Sequence, residues 1–360
     1  MTKVLPVHSY ESFARIIFKI MLKAFATFAL PIVICIAVIV EPAFPQTPTE
    51  APRPLGKMID LGGYRLHLDC EGKGSPIVIL SSGGGGFSTD WALVQSKAAA
   101  FTRVCSYDRS GAAWSDLGPK PRTKDQEAFD LHRLMIAAGE SGPYVLVGQS
   151  MGGMVARIFT QNYPKDVVGL ILVDALSEDA QLSMNGAMHR VRLLAKARTI
   201  PAPRTNVTPA DAMTSAEMQE KEAIVKKYMS NPKIEPPYDR LPDYAQRVRL
   251  WALKQPKNYA EDDDYLAEIT AREYALDQTE DHPLDSILLI VLTRDKSRMN
   301  DYQGPQAASL VQEHEEQQAR MAKLSSHGKQ IIVPNAGHQI ELEAPETVVS
   351  AVRDIATYKK

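Results

Sequence analysis

Gly148-Gln149-Ser150-Met151-Gly152 stands between a short apolar run, Tyr144–Val147, and a segment with helical character, Gly153–Phe159. G-x-S-x-G by itself arises by chance in many chains. With a strand before it and a helix after it, the pattern becomes a sharp strand–turn–helix corner. Glycine is needed on both sides because a Cβ there would run into the neighbouring strand or the helix. The central serine is then left with its hydroxyl exposed above the sheet edge, at a helix N-terminus. The competing reading is a glycine-rich turn whose serine caps the helix; the two flanks favour the exposed hydroxyl.

The rest of the chain supplies a sheet for that corner. Lys57–Leu61 and Tyr64–Asp69 read as a hairpin around Gly62-Gly63, and Pro76–Ser81 as a nearly continuous apolar strand. Arg103–Tyr107, Val167–Val173, Ser286–Leu292 and Gln330–Pro334 read as further strands. Helices are expected over Trp91–Phe101, Lys124–Ala138 and Pro345–Tyr358. Apolar strands separated by amphipathic helices predict an α/β fold, with a mostly parallel central sheet covered on both faces. The alternation stops between Val173 and Ser286. Residues 176–285 are rich in Ala, Met, Glu and Lys, are broken by prolines and show no convincing strand. They read as a helical insertion late in the sheet, placed as a lid over the crevice at the strands' carboxyl ends. The alternative is a helical excursion packed away from the site.

The N-terminus is of another kind. Residues 1–23 carry Lys3, Arg15, Lys19 and Lys23; Ala24–Val40 is apolar apart from Thr27; residues 41–56 are Pro-rich and read as an extended linker to a domain over residues 57–360. Basic residues before an apolar run predict an N-terminus held inside and an exported remainder. Seventeen residues are short for a membrane span and long for a signal core. A cut after Ala43 would leave Glu41 where a small residue is wanted. A membrane anchor is therefore expected over a removed signal, which would leave a secreted or periplasmic domain. An oxidising compartment permits a disulfide between Cys70 and Cys105, whose geometry their spacing does not give. A formal net charge of -2 over 360 residues, with 23% charged, implies no nucleic-acid partner.

Taken in order, Ser82–Gly86 after one strand, Tyr107-Asp108-Arg109-Ser110-Gly111 after another, Gly148–Gly152, Leu172-Val173-Asp174, Ala336-Gly337-His338 and Pro345-Glu346 resemble the α/β-hydrolase superfamily, in particular its lidded serine hydrolases. The similarity covers about Lys57–Thr357. It implies hydrolysis of an ester or related acyl bond of a small molecule, while fold alone leaves the substrate open. The triad order of that fold makes Ser150 the expected nucleophile and a late histidine its base. Of eight histidines, only His338 sits in a glycine loop directly after a late strand.

Two aspartates end strands between Ser150 and His338. Most of the superfamily carries the acid after the later strand, where Asp295 lies in Thr293–Ser297, without the usual glycine. Some relatives carry it after the earlier strand, where Asp174 matches. Asp174 is taken as the acid and Asp295 as the alternative, the other being a loop-anchoring carboxylate. Oxyanion donors are expected at the Met151 amide and, by the match of Ser82-Gly83 to the family's His-Gly, at Gly84. Asp108-Arg109 is expected to brace the loops near the site. The resemblance implies no metal and no organic cofactor, and no Cys/His cluster has zinc spacing. The same triad also serves amide, lactone and carbon–carbon bond hydrolysis. A non-catalytic, membrane-tethered binding protein that has kept the fold is the reading from another class.

Overall fold

Ile77-Val78-Ile79-Leu80 and Tyr144-Val145-Leu146-Val147 are buried along their whole length, as strands in the middle of a covered sheet must be. The computed structural model describes residues 51–184, 187–260, 265–279, 282–299 and 305–358. The basic segment, the apolar stretch Ala24–Val40 and most of the linker lie outside them. Among the described residues no helix is long and apolar enough to cross a membrane.

The strands are β1 (Lys57–Asp60), β2 (Arg65–Glu71), β3 (Ile77–Ser81), β4 (Arg103–Tyr107), β5 (Tyr144–Gln149), β6 (Val167–Val173), β7 (Gln181–Met184), β8 (Ala187–Arg190), β9 (Leu288–Arg294) and β10 (His327–Val333). Eight form one sheet in the order β1-β2-β4-β3-β5-β6-β9-β10. The β1–β2 and β2–β4 pairs are antiparallel, and all the others are parallel.

The described helices are α1 (Ala92–Ala98), α2 (Lys124–Ala137), α3 (Met151–Asn162), α4 (Ser215–Tyr228), α5 (Asp243–Ala252), α6 (Leu266–Thr279), α7 (Ala307–Met321), α8 (Ile340–Glu343) and α9 (Pro345–Ala356). Alternate strand residues divide the core, because successive side chains leave a strand on opposite faces. Ile79, Leu146 and Leu170 pack with Leu131 and Leu134 of α2 and Ile158 and Phe159 of α3. Val78, Val145 and Ile171 pack with Val94 of α1 and Val348, Val352 and Ile355 of α9. The expected sheet, covered on both faces, is the one observed.

Two elements depart from the sequence reading. Residues 176–285 are not all helical, because β7 and β8 form a short antiparallel hairpin, Gln181 opposite Arg190. Four-residue strands are too short for alternation to show. Helix α7 was not expected at all. Its buried face is Leu310, His314, Gln317, Gln318 and Met321, spaced as a helix stripe but largely polar, so apolar periodicity does not reveal it.

Cys70 and Cys105 face each other in the β2–β4 register and are bonded, with their Cα atoms 4.0 Å apart. The closed loop spans 35 residues. By chain entropy such a link is worth about 4 kcal/mol. The Cys70→Ser/Cys105→Ser variant should lose stability of that order in urea unfolding, and an unchanged midpoint would show that the bond contributes nothing.

Candidate active site

At the end of β5 the chain turns within one residue. Ser150 has φ 50° and ψ −121°, a conformation rarely open to a side-chain-bearing residue and found where surrounding structure enforces it. The enforcement is visible. A Cβ on Gly148 would lie 2.4 Å from the Gly152 carbonyl oxygen, and one on Gly152 would lie 2.3 Å from that of Ser81. Gly153 is as tight, at 2.4 Å from the Ala175 Cβ. The Ser150 amide donates to the Val173 carbonyl (3.1 Å), and the Ser150 carbonyl accepts from Leu176 (2.9 Å). The corner is thus bolted to β3 on one side and to the end of β6 on the other.

Asp174 follows β6, also at positive φ (40°), with its amide held by the Leu292 carbonyl at 2.8 Å. Its carboxylate is 1% exposed. One oxygen accepts from Nδ1 of His338 at 2.6 Å, and the other from Nε2 of His314 at 2.9 Å. Arg294 adds Nε at 3.3 Å and its backbone amide at 3.3 Å. Burial alone would push this carboxyl up, but the hydrogen bonds from His314 and His338 and their charges hold it well below the usual range. Its contribution to stability is therefore present above the unfolded carboxylate pKa and is lost as pH falls below it. An ionised carboxylate only accepts, so the His338 proton sits on Nδ1 and Nε2 is left basic.

His338 hangs on the loop after β10, where its own carbonyl accepts from the Gln149 side chain at 3.2 Å. A Cβ on Gly337 before it would lie 2.7 Å from Glu343 Oε1, so a side chain there would push that carboxylate aside. Ser150 and His338 line the same two cavities. The larger, about 310 Å³, is walled by Asp174, His314, Leu310 of α7 and hairpin residues such as Leu182 and Met188. The smaller, about 100 Å³, is walled by Gly83, Gly84, Tyr238 and Glu341. A cavity of about 700 Å³ at the other end of β6 and β9 holds none of these groups.

Asp295 is elsewhere. Its carboxylate accepts from the amides of Ser297 (2.9 Å) and Asn335 (3.0 Å), tying the loop after β9 to the loop that leads to His338. The structure brings Asp174 to His338 and leaves Asp295 as an anchor between loops. In the glycine loop, Gly83 is the residue pressed on the corner, where a Cβ would lie 2.2 Å from Gln149 Oε1 and 3.0 Å from Ser150 Cβ. A Cβ on Gly84 would meet nothing within 4 Å. The buried Arg109 guanidinium holds the Ser82 and Gly83 carbonyls, the latter at 2.8 Å, which is the bracing expected of Asp108-Arg109. Met151 opens α3, so its amide is among those a helix N-terminus leaves unpaired by the helix itself.

Two residues beside this site were not singled out from sequence. His314 carries no local signal, since it lies inside α7 and meets Asp174 only across 140 residues. Glu341 sits three residues after His338 on the short helix α8 and is 4% exposed.

Comparison with known proteins agrees with this architecture. The family model described as "Alpha/beta hydrolase family" matches residues 77–351. An AB hydrolase superfamily protein of Gibberella zeae is 24% identical over 299 residues, 78% of this chain and 86% of that protein. The chain spans only 14% to 37% of the length of three other curated relatives. A thermophilic esterase from Thermogutta terrifontis superposes with a TM-score of 0.52 at 21% identity, covering 81% of this chain and 92% of that one. The enol-lactonase from Burkholderia xenovorans LB400 does so with a TM-score of 0.54 at 15% identity, covering 82% and 97%. At such identities the likeness is one of fold. With the family model spanning most of its length, the chain belongs to the α/β-hydrolase family.

Proposed function

We propose that the protein is a serine hydrolase that cleaves an ester or related acyl bond of a small molecule through an acyl-enzyme. Ser150 Oγ attacks the acyl carbonyl carbon and its proton passes to His338 Nε2. The Asp174 carboxylate holds the Nδ1–H and stabilises the imidazolium. The amides of Met151 and Gly84 face the oxygen on which negative charge develops. Collapse expels the leaving group, which takes the proton from His338. Water then gives its proton to His338 and attacks the acyl carbon, releasing the acid and Ser150. The observation that carries this reading is the 2.6 Å contact between His338 and Asp174, made beside a serine forced to positive φ. Stopped-flow hydrolysis of p-nitrophenyl butyrate should release one equivalent of p-nitrophenolate per site in a burst. Turnover without any acyl-enzyme under rapid quench would contradict the covalent route.

His314 acts as a positioning residue. Its hydrogen bond to the second oxygen of Asp174 fixes the plane of the carboxylate that orients His338. His314→Ala should lower kcat by about tenfold, the cost of one charge-assisted hydrogen bond, with KM little changed. His314→Gln, which keeps a donor, should recover part of the loss. Equal kcat in all three proteins would remove His314 from the account.

We further propose that the hydrolase domain works outside the cytoplasm, held by the apolar N-terminal segment or released by its cleavage. The basic-then-apolar order of residues 1–40 supports this, as does the Cys70–Cys105 bond, which persists in oxidising compartments. Protease accessibility in intact cells tests it, and a domain protected until lysis would count against it.

A further inference from the structure

The carboxylates around Ser150 are nearly all matched by guanidinium groups. Asp174 has Arg294 at 3.3 Å, and Asp90 has Arg249 at 2.8 Å. Glu343 has Arg298 at 3.1 Å, and Glu313 has Arg190 at 2.7 Å. Glu341 is the buried exception, with no cation in ion-pair reach among the described residues. It is 4% exposed, and its Oε2 has no hydrogen-bond partner among them. It stands on the wall of the 100 Å³ cavity that Ser150, His338 and Gly84 also line, with the Asp90 carboxylate on the same wall.

A buried carboxyl without a cation is costly to ionise, a cost that the hydrogen bond from the Glu341 backbone amide lowers and its acidic neighbours raise. Burial pushes Glu341 well above the usual carboxylate range, and the negative charges of Asp90, Asp174 and Glu343 push the same way. A cation brought into the cavity reverses each of those effects together. It would meet Glu341 and, on the same lining, Asp90, whose charge Arg249 already pairs. In the proposed mechanism this cavity adjoins the part of the substrate on the glycine-loop side of Ser150.

We propose that the cavity is a subsite for an ammonium group, in which Glu341 pairs with a protonated amine carried by the smaller half of the acyl substrate. The inference rests on the reading of Ser150 as nucleophile and deepens it to a substrate class. On binding, the ammonium supplies the hydrogen-bond donor that Glu341 Oε2 lacks. The space is short, equal to roughly three water molecules at ~30 Å³ each, so the amine lies within two or three carbons of the bond cleaved. A site built to pair a charged group rejects the uncharged isostere, because the carboxyl is then left buried alone.

The test uses the full-length protein in a pH-stat at neutral pH, with two matched pairs of esters. On the acyl side, β-alanine ethyl ester is compared with ethyl butyrate. On the alcohol side, 2-(dimethylamino)ethyl butyrate is compared with 3-methylbutyl butyrate. The members of each pair have the same shape and differ in charge. The expected result is that kcat/KM favours the ammonium ester by about tenfold or more in one pair, and that Glu341→Gln brings that ratio close to one. A ratio near one in both wild-type pairs overturns the proposal, and that measurement stands even if the variant does not fold. A preference that survives in folded Glu341→Gln overturns it as well. Should the wild type cleave none of the four esters and leave a fluorophosphonate unreacted, the serine-hydrolase reading itself fails and the subsite falls with it. Labelling of Ser150 with a flat ester ratio removes the subsite alone.

Discussion

Ser150→Ala should lower kcat for ester hydrolysis by about 10⁶-fold, while the protein stays folded. The size follows from what the serine does. In the proposed mechanism its Oγ forms the covalent bond, and no neighbouring hydroxyl takes its position on the corner between β5 and α3. The fold should survive because the corner is set by glycines 148, 152 and 153 and by backbone hydrogen bonds to Val173 and Leu176, none of which uses the serine hydroxyl. Circular dichroism and ester turnover measured on the same preparation check both halves. Substantial residual turnover by the folded variant would mean that the reaction runs through another group.

Asp174→Asn should lower kcat by about 10⁴-fold, whereas Asp295→Asn should change it by about threefold or less. The two carboxylates lie in loops after adjacent strands, yet their surroundings differ in kind. Three groups donate to Asp174, namely His338, His314 and the amide of Arg294, and the Arg294 guanidinium pairs with its charge at 3.3 Å. An asparagine there offers one accepting oxygen and must turn its NH₂ towards donors. Either His338 takes the wrong tautomer or the His314 side is left unsatisfied. Around Asp295 the donors are two backbone amides on exposed loops, so an amide side chain loosens a tether without touching an imidazole. Steady-state kinetics on both variants, each shown to be folded, separate the two roles. A larger loss in Asp295→Asn would exchange them.

The parts of the site that could be read from the sequence are those whose neighbours are close in the chain. Ser150 announces itself through glycines two residues away on either side. His338 does so through the strand before it and the glycine beside it. Asp174 and Asp295 could not be separated in this way, because each follows an apolar strand and each sits between the serine and the histidine. What separates them is the approach of α7 and the β10 loop to the end of β6, a tertiary fact. For the same reason His314 stayed hidden, on a helix whose buried face is mostly glutamine, histidine and methionine. Its polar stripe makes sense once its partners are seen: Gln318 donates to the Ala175 carbonyl at 2.8 Å and Gln317 to that of Asp179 at 2.8 Å. Glu341 is set apart only by its burial beside Ser150. The sheet itself was legible almost strand by strand, since its runs of Val, Ile and Leu are buried on both faces. The β7–β8 hairpin was not, because eight residues of weak alternation were read as part of a helical insertion.

The central claim is that Ser150 is an activated nucleophile. Treating the purified protein with a fluorophosphonate probe and mapping the adduct by peptide mass spectrometry tests it most directly. The account predicts one adduct per chain, on the peptide containing Ser150, lost in Ser150→Ala and formed far more slowly in Asp174→Asn. A folded wild-type protein that cleaves esters while Ser150 remains unmodified would contradict it.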